Sequence, residues 1–356
     1  MKRIGIIGGG ASGVMASIAI KKKHKDYNVT IIEQNDRLLK KVLKTGNGKC
    51  NIMNNNISKE FYNDFHLIEK YKDIIDVKEE FLSLGLVLKE LTQGRVYPYS
   101  EQASNVVNVL IDNVNKLGIN VILQEKVIDI KCNDSFIVNN KYHFDKLIIS
   151  TGSYSQEKTN GYDLLKKMGL KVTNLYPGLV PVITKEKTKH LSGLRVKAKD
   201  NKYNLEGEVL FKEDGLSGIL IFDLSRHLKA SDVISLDLMS EYSIDEVKNI
   251  IKSADSVYGI FPKMLAKDII DRANNDLKLI PNIIKNYTFT IESAKGYNES
   301  QITIGGLDLN EVDDNFMVKK INNLYVIGEV LNVDGACGGY NLYFAWLSAL
   351  ACSRFM

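Results

Sequence analysis

Three glycines near the start of the chain, Gly8, Gly10 and Gly13, have the spacing G-x-G-x-x-G, and Glu33 follows Gly13 by twenty residues. An apolar run suited to a buried strand precedes the glycines. An apolar segment compatible with a helix follows them, and a second apolar run then ends at Glu33. Strand, glycine turn, helix, strand and acid form the context in which this spacing binds a dinucleotide. The chemistry expected here is therefore the recognition of a nucleotide.

Each part of this motif has a physical task. Gly8 permits a tight turn, Gly10 lets the backbone approach a pyrophosphate, and Gly13 lets helix and strand pack closely. The helix N-terminus offers N–H groups and a positive dipole end to the phosphates. Glu33 would accept hydrogen bonds from an adenosine ribose and would repel a 2′-phosphate. Glycine spacings of this kind also occur by chance, so it is the surrounding elements that indicate nucleotide binding.

A second glycine-rich loop precedes a helix near the other end of the chain. Residues 324–327 predict a buried strand, residues 334–339 are glycine-rich, and residues 340–351 predict an apolar helix. A helix N-terminus aimed at the pyrimidine edge of a flavin would stabilise the negative charge that develops there on reduction. Glu329 could hydrogen-bond a ribityl hydroxyl. The alternative is an ordinary core helix capped by a glycine turn, but the N-terminal motif favours the cofactor.

Two polar loops between these ends carry further candidate groups. Residues 36–56 contain a glycine-rich turn flanked by Lys41 and Lys49. The segment is either a surface loop or a loop laid along the cofactor, with both lysines near phosphates or the flavin. Residues 93–103 place an arginine, two tyrosines and a glutamate on a turn that contains proline.

Length, charge and cysteine usage bound the class of protein. A chain of 356 residues can form two or three domains. The net charge of +4 is small and scattered, which argues against a nucleic-acid partner. The four cysteines lie far apart with no CxxC, so no zinc or other metal site and no redox disulfide is indicated, and a reduced cytoplasmic setting is expected.

No membrane partner is expected from the sequence. A signal peptide is the alternative for the apolar start of the chain, but three consecutive glycines fit poorly inside its apolar region. No other stretch approaches the roughly 20 apolar residues of a membrane span.

The order of elements predicts an α/β protein with an inserted domain. The discontinuous nucleotide-binding domain is expected at 1–182 and 298–356, and the insert at 183–297. Within the insert we predict a β-barrel and a helical part, at 183–240 with 286–297 and at 241–285, respectively. Short runs predict strands at 209–211, 218–222 and 287–291, and helices at 244–253 and 262–273. Outside the insert, residues 57–88 have helical spacing of their apolar residues.

Four stretches of the chain resemble the bacterial flavoproteins of the BaiN or aminoacetone oxidase family, within the glutathione-reductase-like FAD enzymes. They are GIIGGGASG with Glu33, KKVLKTGNGKCN at 40–51, GRVYPYSEQA at 94–103 and IGEVLNVDGACGGYN at 327–341. Weaker similarity runs between them, so the resemblance covers nearly the whole chain. It implies a tightly held FAD in a Rossmann-like domain with three-layer ββα architecture, formed by both chain ends. It also implies an insert, a β-barrel plus a helical part, that covers the flavin.

The resemblance also implies which residues contact the cofactor. On the ADP half they are Gly8, Gly10, Ala11, Ser12, Gly13, Glu33 and Gln34, with Val127 as a further contact. Beside the cofactor they are Lys41, Gly48, Lys49, Cys50 and Asn51, and the middle contacts are Thr151 and Gly152. On the ribityl and isoalloxazine half they are Glu329, Asp334, Gly335, Gly338, Gly339, Tyr340 and Asn341. Lys49 stands where the family usually has arginine, which keeps the charge and loses the fork geometry.

Two reaction schemes fit an FAD enzyme of this kind. A second G-x-G-x-x-G and a CxxC are both missing, so neither a separate nicotinamide domain nor dithiol transfer is expected. In the first scheme NADH or NADPH docks transiently and the flavin N5 then delivers hydride to a small unsaturated or carbonyl substrate. In the second, a small amine such as aminoacetone donates hydride and oxygen reoxidises the flavin.

Catalytic groups are less defined than cofactor contacts. Arg95, Tyr97 and Tyr340 are candidates near the reacting centre, and each has a structural role as its alternative. Two further classes stay open, namely a protein that holds FAD without turnover and an RNA-modifying flavoenzyme. The dispersed charge argues against RNA, so we expect a small-molecule substrate.

Overall fold

The apolar runs around the first glycine motif are strands β1 (Arg3–Ile7) and β2 (Asn28–Ile32), joined by helix α1 (Ala11–Lys23). The computed structural model describes residues 1–133, 135–157, 159–254 and 256–356. These strands belong to the first of two compact units, which consists of Met1–Tyr176 and Ile302–Met356; the second is Pro177–Gln301. The first segment of the first unit ends six residues before position 182, after which the insert was expected to begin. The second unit ends four residues after position 297, the expected end of the insert.

The remaining elements follow in chain order. The strands are β3 (Met53–Asn54), β4 (Leu88–Glu90), β5 (Arg95–Pro98), β6 (Asn120–Ile122), β7 (Ile130–Cys132), β8 (Phe136–Val138), β9 (Tyr142–Phe144), β10 (Lys146–Ile149), β11 (Tyr176–Gly178), β12 (Val182–Thr184), β13 (Arg195–Asp200), β14 (Glu206–Phe211), β15 (Gly215–Ser217), β16 (Val233–Asp237), β17 (Tyr287–Ala294), β18 (Ile302–Ile304) and β19 (Leu324–Val326). The helices are α2 (His66–Tyr71), α3 (Val77–Ser83), α4 (Ala103–Lys116), α5 (Gly161–Lys167), α6 (Ile219–Ser225), α7 (Ile244–Ala254), α8 (Lys263–Arg272), α9 (Ile280–Lys285) and α10 (Tyr340–Ser353).

A parallel five-stranded sheet in the order β19-β10-β1-β2-β6 forms the centre of the first unit. Its central strands are nearly continuous apolar runs because they are buried on both faces, as in other parallel sheets. Helices α1 and α10 pack against each other, so both ends of the chain contribute to one core. The Trp346 side chain of α10 is fully buried, and its Nε1–H donates to the Ile52 carbonyl at 3.1 Å.

Two small antiparallel sheets lie in the same unit. One has the order β3-β5-β4 and carries the residues of the 93–103 turn, and the other has the order β7-β8-β9. The helical spacing predicted over 57–88 corresponds to two short helices, α2 and α3, preceded by a 3₁₀ turn at Lys59–Phe61. Asp76 is the N-cap of α3, and its carboxylate accepts from the N–H groups of Lys78 and Glu79.

The second unit contains a closed six-stranded barrel in the order β12-β15-β14-β13-β16-β17, with α7, α8 and α9 between β16 and β17 in the chain. The strand predicted over 218–222 was wrong, because residues Ile219–Ser225 form α6. Leu220, Ile221 and Leu224 are its buried apolar side chains, which is the spacing of one helix face.

The fold class predicted from the sequence is confirmed, namely a Rossmann-type α/β domain combined with a β-barrel and helices. Among the described residues, none of the helices is both long enough and apolar enough to cross a membrane.

Candidate functional site

In the turn between β1 and α1, two of the glycines are tightly packed against the backbone and one faces open space. Gly8 has a φ of 104°, and a Cβ built on it would lie 2.4 Å from the Ser150 carbonyl oxygen. A Cβ on Gly13 would lie 2.0 Å from the carbonyl oxygen of Gly8, so both positions require glycine. A Cβ on Gly10 would meet nothing within 4 Å. Gly10 is also the N-cap of α1 and provides no side chain to cap its first N–H groups, so the open side can accept phosphate oxygens.

Glu33, at the carboxyl end of β2, is 8% exposed and is held by the glycine turn itself. Its Oε2 accepts from the Gly9 N–H at 2.6 Å, and its Oε1 accepts from the backbone and side-chain amides of Asn35, both at 2.8 Å. A carboxylate has about four acceptor positions, so three are used and one on Oε2 remains. That position suits the hydroxyl of a ribose.

The segment that contains Val127 is attached to this end of the sheet. The Gln124 N–H donates to the Asn35 carbonyl at 2.9 Å, and the Glu125 N–H to the Glu33 carbonyl at 3.0 Å. Val127 is buried and its carbonyl accepts from Asn160 Nδ2 at 2.6 Å. The structure thus brings Val127 close in the fold to Glu33, and the half-buried Gln34 lies between Glu33 and Asn35 in the chain.

The middle candidates lie just beyond the end of β10. Gly152 has a φ of 66°, and a Cβ on it would lie 3.9 Å from Lys41 Nζ. Lys41 Nζ donates to the Ser153 carbonyl at 3.0 Å. Thr151 Oγ1 is buried and has no hydrogen-bond partner among the described residues, which is costly unless a ligand satisfies it.

The first turn of α1 touches the end of β19. Ser12 is 6% exposed, and a Cβ built on Gly328 would lie 2.4 Å from Ser12 Oγ. Ala11 is half-buried beside it. The next residue after Gly328, Glu329, is also half-buried, and its Oε1 faces the Thr303 N–H at 3.4 Å. The two ends of the chain therefore meet beside the glycine turn.

The C-terminal glycine loop packs onto the backbone of β3. Gly339 has a φ of 102°, and a Cβ on it would lie 2.6 Å from the Met53 carbonyl carbon. The same Cβ would lie 2.9 Å from Asn51 Oδ1, which is buried and has no hydrogen-bond partner in the part of the chain that the structure describes. Close packing thus requires glycine at this position, and Asn51 offers an unsatisfied acceptor at the loop.

Asn341 and Asp334 shape this loop. Asn341 Oδ1 accepts from the Gly335 N–H at 2.7 Å, and Asn341 Nδ2 donates to the Gly335 carbonyl at 2.9 Å. The N–H of the buried Asp334 donates to Asn63 Oδ1 at 2.8 Å, and the Asn63 N–H donates to the Asp334 carbonyl at 3.0 Å. The Asn341 side chain therefore closes the loop on itself just before α10.

Tyr340 is enclosed by two aromatic side chains. Its ring stacks on Phe61 with centroids 4.5 Å apart and meets the edge of Tyr62 at 5.7 Å. Tyr62 Oη donates to the Tyr340 carbonyl at 3.0 Å, and Tyr340 is 4% exposed. This packing fixes the N-terminus of α10, which is a structural task for a residue predicted as a catalytic candidate.

Lys49 is held by an ion pair. Its Nζ lies 2.8 Å from Glu101 Oε2, and Lys89 Nζ lies 2.7 Å from Glu101 Oε1. The two lysines lower the pKa of Glu101 to about 2. This arrangement ties the exposed Gly48–Lys49 turn to the segment after β5. Cys50 is buried, and burial raises the pKa of its thiol to about 11, so it stays protonated.

Arg95 and Tyr97 stand on β5, opposite the C-terminal glycine loop. A Cβ on Gly338 would lie 3.8 Å from Arg95 Nε and 3.7 Å from Asn54 Nδ2. Burial raises the pKa of Tyr97 and the nearby Arg95 opposes this, so the phenol stays protonated at neutral pH. The structure thus brings the 40–51 loop, the 94–103 stretch and the 327–341 stretch together in the first unit.

Asn54 and Gln93 are residues of this site that sequence reasoning missed. Asn54 is 3% exposed and its Nδ2 donates to the Gln93 carbonyl at 3.2 Å and to the Gly338 carbonyl at 3.1 Å. It stands in a run of three asparagines inside the 36–56 loop, and residue type alone did not distinguish it. Its partner in the glycine loop lies 284 residues further along the chain.

These residues fit an FAD. The open cradle at Gly10 and the spare acceptor of Glu33 match the ADP half, and the unsatisfied Thr151 Oγ1 and Asn51 Oδ1 are buried polar atoms that a cofactor can partner. Groups of His, Cys, Asp and Glu arranged to hold a metal ion do not occur within 1–133, 135–157, 159–254 and 256–356.

Fold and site define the class as FAD-dependent flavoprotein oxidoreductases with a Rossmann-type domain. The family profile described as "HI0933-like protein Rossmann domain" matches residues 2–355. The chain belongs to this HI0933-like family, and the resemblance to the BaiN and aminoacetone oxidase flavoproteins is confirmed.

Similar proteins include two curated relatives and one solved structure. The chain is 29% identical to a 3-dehydro-bile acid delta(4,6)-reductase of Clostridium scindens, over 99% of this chain and 98% of the relative. It is 26% identical to a ribosomal RNA dihydrouridine synthase of Haemophilus influenzae, over 98% and 96%. A 3-ketosteroid-Δ4-(5α)-dehydrogenase of Rhodococcus jostii shares the fold with a TM-score of 0.52 and 12% identity, over 99% of this chain and 96% of that one.

Proposed function

We propose that this oxidoreductase uses NADH or NADPH to saturate a carbon–carbon double bond conjugated to a carbonyl in a small organic substrate. The observation that carries the proposal is the pair Arg95 and Tyr97 on β5, with Arg95 Nε 3.8 Å from a Cβ built on Gly338 and the Tyr97 ring 3.6 Å from a Cβ built on Gly46. Arg95 is a permanent cation that can hydrogen-bond a carbonyl oxygen, and Tyr97 is a protonated phenol that can supply a proton. Reduction of a conjugated double bond needs both kinds of group.

The names of the two curated relatives support a shared type of reaction. A delta(4,6)-reductase acting on a 3-dehydro-bile acid and a synthase of dihydrouridine both add two hydrogen atoms to a double bond conjugated to a carbonyl. Neither name describes the oxidation of an amine. We therefore favour the reductase over the amine oxidase for this chain.

In the proposed reaction, FAD held at the Gly10 turn, Glu33 and the Gly339 loop would supply hydride at N5, with the nicotinamide as the source of the two electrons. The substrate gains that hydride on its β-carbon, and negative charge moves to the carbonyl oxygen. The Arg95 guanidinium donates hydrogen bonds to this oxygen and stabilises the charge. The Tyr97 O–H delivers a proton to the α-carbon and is reprotonated by water, so the substrate gains two hydrogen atoms in total.

A uridine within RNA is the second candidate substrate, because it contains the same conjugated group. The segment 37–49 carries five cations and no acid, and three of them, Arg37, Lys44 and Lys49, are exposed. Such a segment suits a phosphate backbone, although it also suits the pyrophosphate of a nicotinamide cofactor. Relatives named ribosomal RNA dihydrouridine synthase at 26% and 25% identity support this candidate.

Product analysis with three substrate classes tests the proposal. The purified holoprotein is incubated without oxygen with NADPH or NADH and a steroid-type enone, or with unmodified ribosomal RNA. Aminoacetone with oxygen forms the third arm. We expect an enone product heavier by two hydrogen atoms and an equal amount of oxidised nicotinamide. A product from RNA alone would establish the second candidate, and turnover of aminoacetone alone would refute both reductase candidates.

A further inference from the structure

The turn that leads into β5 has an unusual residue at its centre. Gln93, within the 3₁₀ turn Thr92–Gly94, has a φ of 62° and a ψ of 30°. This left-handed conformation favours glycine, and a side chain there is strained unless its surroundings fix it. Glycine would relax the turn at this position, so the contacts of the Gln93 side chain indicate what the glutamine contributes.

The Gln93 amide holds a guanidinium. Gln93 Oε1 accepts from Arg95 Nη2 at 2.8 Å. This bond uses one of the five N–H donors of Arg95 and fixes the plane of its forked guanidinium group. A Cβ on Gly338 would lie 3.8 Å from Arg95 Nε, so the fork lies against the glycine loop that precedes α10.

Asn54 fixes the turn to the same glycine loop. Its Nδ2 donates to the carbonyls of Gln93 and Gly338, at 3.2 and 3.1 Å, and its Oδ1 accepts from the Asn56 N–H at 2.9 Å. A Cβ on Gly94 would lie 2.7 Å from Asn54 Oδ1, so the turn has no room to shift toward Asn54. One buried amide thus maintains the distance between the Gln93 turn and the loop.

We infer that Gln93 and Asn54 are positioning residues that aim the Arg95 guanidinium at an oxygen anion of the substrate. This inference rests on the proposed function in its choice of substrate oxygen. Asn54 fixes the turn, Gln93 fixes the plane of the fork, and the remaining N–H donors of Arg95 are left for the ligand. Strain at Gln93 is retained because the side chain that causes it orients the cation.

Binding of a phenolate tests the inference without turnover. Para-chlorophenol is titrated into the oxidised holoprotein between about pH 6 and 10, and the long-wavelength absorption of the flavin reports binding. The wild-type protein is expected to bind the phenolate preferentially, because a guanidinium hydrogen-bonds an anion more strongly than a neutral phenol. The apparent pKa of the bound phenol therefore falls below that of the free phenol.

Three variants separate positioning from folding. Gln93→Gly suits the left-handed backbone, so it is expected to fold and keep its FAD, yet to bind phenolate on the order of tenfold more weakly with a smaller pKa shift. Gln93→Glu keeps the acceptor but places a negative charge beside the guanidinium, so its phenolate affinity is expected to lie below that of the wild type. Asn54→Ala is expected to resemble Gln93→Gly. Tyr99→Phe, at an exposed residue of the same segment, is the matched control with unchanged binding.

Two outcomes would overturn the inference. One is wild-type protein that does not bind phenolate, or binds it no better than the neutral phenol. The other is Gln93→Gly protein with wild-type affinity and pH dependence. If these variants behave as expected while no enone or RNA is reduced, the proposed reaction fails and the positioning role stands. If all variants reduce the enone at the wild-type rate and bind phenolate as the wild type does, the positioning role fails and the proposed reaction stands.

Discussion

Ser12 and Gly328 are 316 positions apart in the sequence, and they touch. A Cβ built on Gly328 would lie 2.4 Å from Ser12 Oγ and 2.9 Å from its Cβ. Ser12 is in the first turn of α1 and Gly328 follows β19, so this contact joins the nucleotide-binding turn to the segment that carries Glu329. The candidate FAD site of the first unit is therefore built from both ends of the chain.

Gly328→Ala should destabilise the protein more than Gly169→Ala. The two glycines have nearly the same φ, 74° and 75°, but a Cβ on Gly169 meets nothing within 4 Å. Each variant incurs about 1 kcal/mol of left-handed strain, and Gly328→Ala adds about 1–3 kcal/mol of overpacking. Urea unfolding of both variants measures the difference.

A second substitution checks the cause. Ser12→Gly removes the atoms that Gly328→Ala would strike, so the double variant should recover most of the added loss. Equal stability of Gly328→Ala and Gly169→Ala would show that the contact with Ser12 does not affect the free energy of unfolding.

Gly10→Val should separate folding from cofactor binding. Gly10 has φ −81° and ψ −165°, a conformation open to any residue, and no atom of the described residues lies within 4 Å of its Cβ position. The apoprotein should therefore keep its melting temperature, while FAD affinity falls at least about 100-fold because the side chain fills the pyrophosphate approach. Gly13→Ala is the contrast, since its Cβ would lie 2.0 Å from the Gly8 carbonyl oxygen and should destabilise the apoprotein. Full FAD content in Gly10→Val protein would place the pyrophosphate elsewhere.

The ion pairs of Glu101 should make its contribution to stability depend on pH. Lys49 and Lys89 lower its pKa to about 2, below the ordinary value of 4.5. A lowered carboxyl pKa stabilises the folded state above the unfolded value, and this stabilisation is lost as the pH falls through the folded value. The difference in melting temperature between wild type and Glu101→Gln should be constant above about pH 6 and shrink between about pH 5 and 2.

Salt and a control variant complete this test. Added salt should reduce the same difference, because these charges are at least partly exposed to solvent. Glu60→Gln, at an exposed carboxylate elsewhere in the first unit, is the matched control. A constant difference for Glu101→Gln across the whole range would exclude the ion pairs as its cause.

Local patterns predicted the first unit well. The glycine spacing and the two apolar runs around it specified β1, α1 and β2, because a parallel βαβ unit has a sequence signature of its own. The strand prediction over 218–222 was wrong because a run of four or five apolar residues suits a buried strand and a buried helix equally. The structure forms α6 there, and α6 contacts β14.

Contacts between residues distant in sequence limit how much of the candidate site could be predicted from the sequence. The family resemblance implied Asn51 and the glycines at 338 and 339 as cofactor contacts. The amide of Asn54, which bridges Gln93 and Gly338, was not predicted, because neither its burial nor its partners leave a local pattern. The left-handed Gln93 was missed for the same reason, since its strain is stabilised by groups from other parts of the chain.

The reoxidation of reduced protein by an enone tests the central claim most directly. The yellow holoprotein is bleached at about 450 nm with one equivalent of NADPH or NADH without oxygen, and a steroid-type enone is then added. The proposed reaction predicts that the absorbance returns in full and that one equivalent of enone gains two hydrogen atoms. An absorbance that stays bleached with the enone, and with ribosomal RNA added in its place, would contradict it.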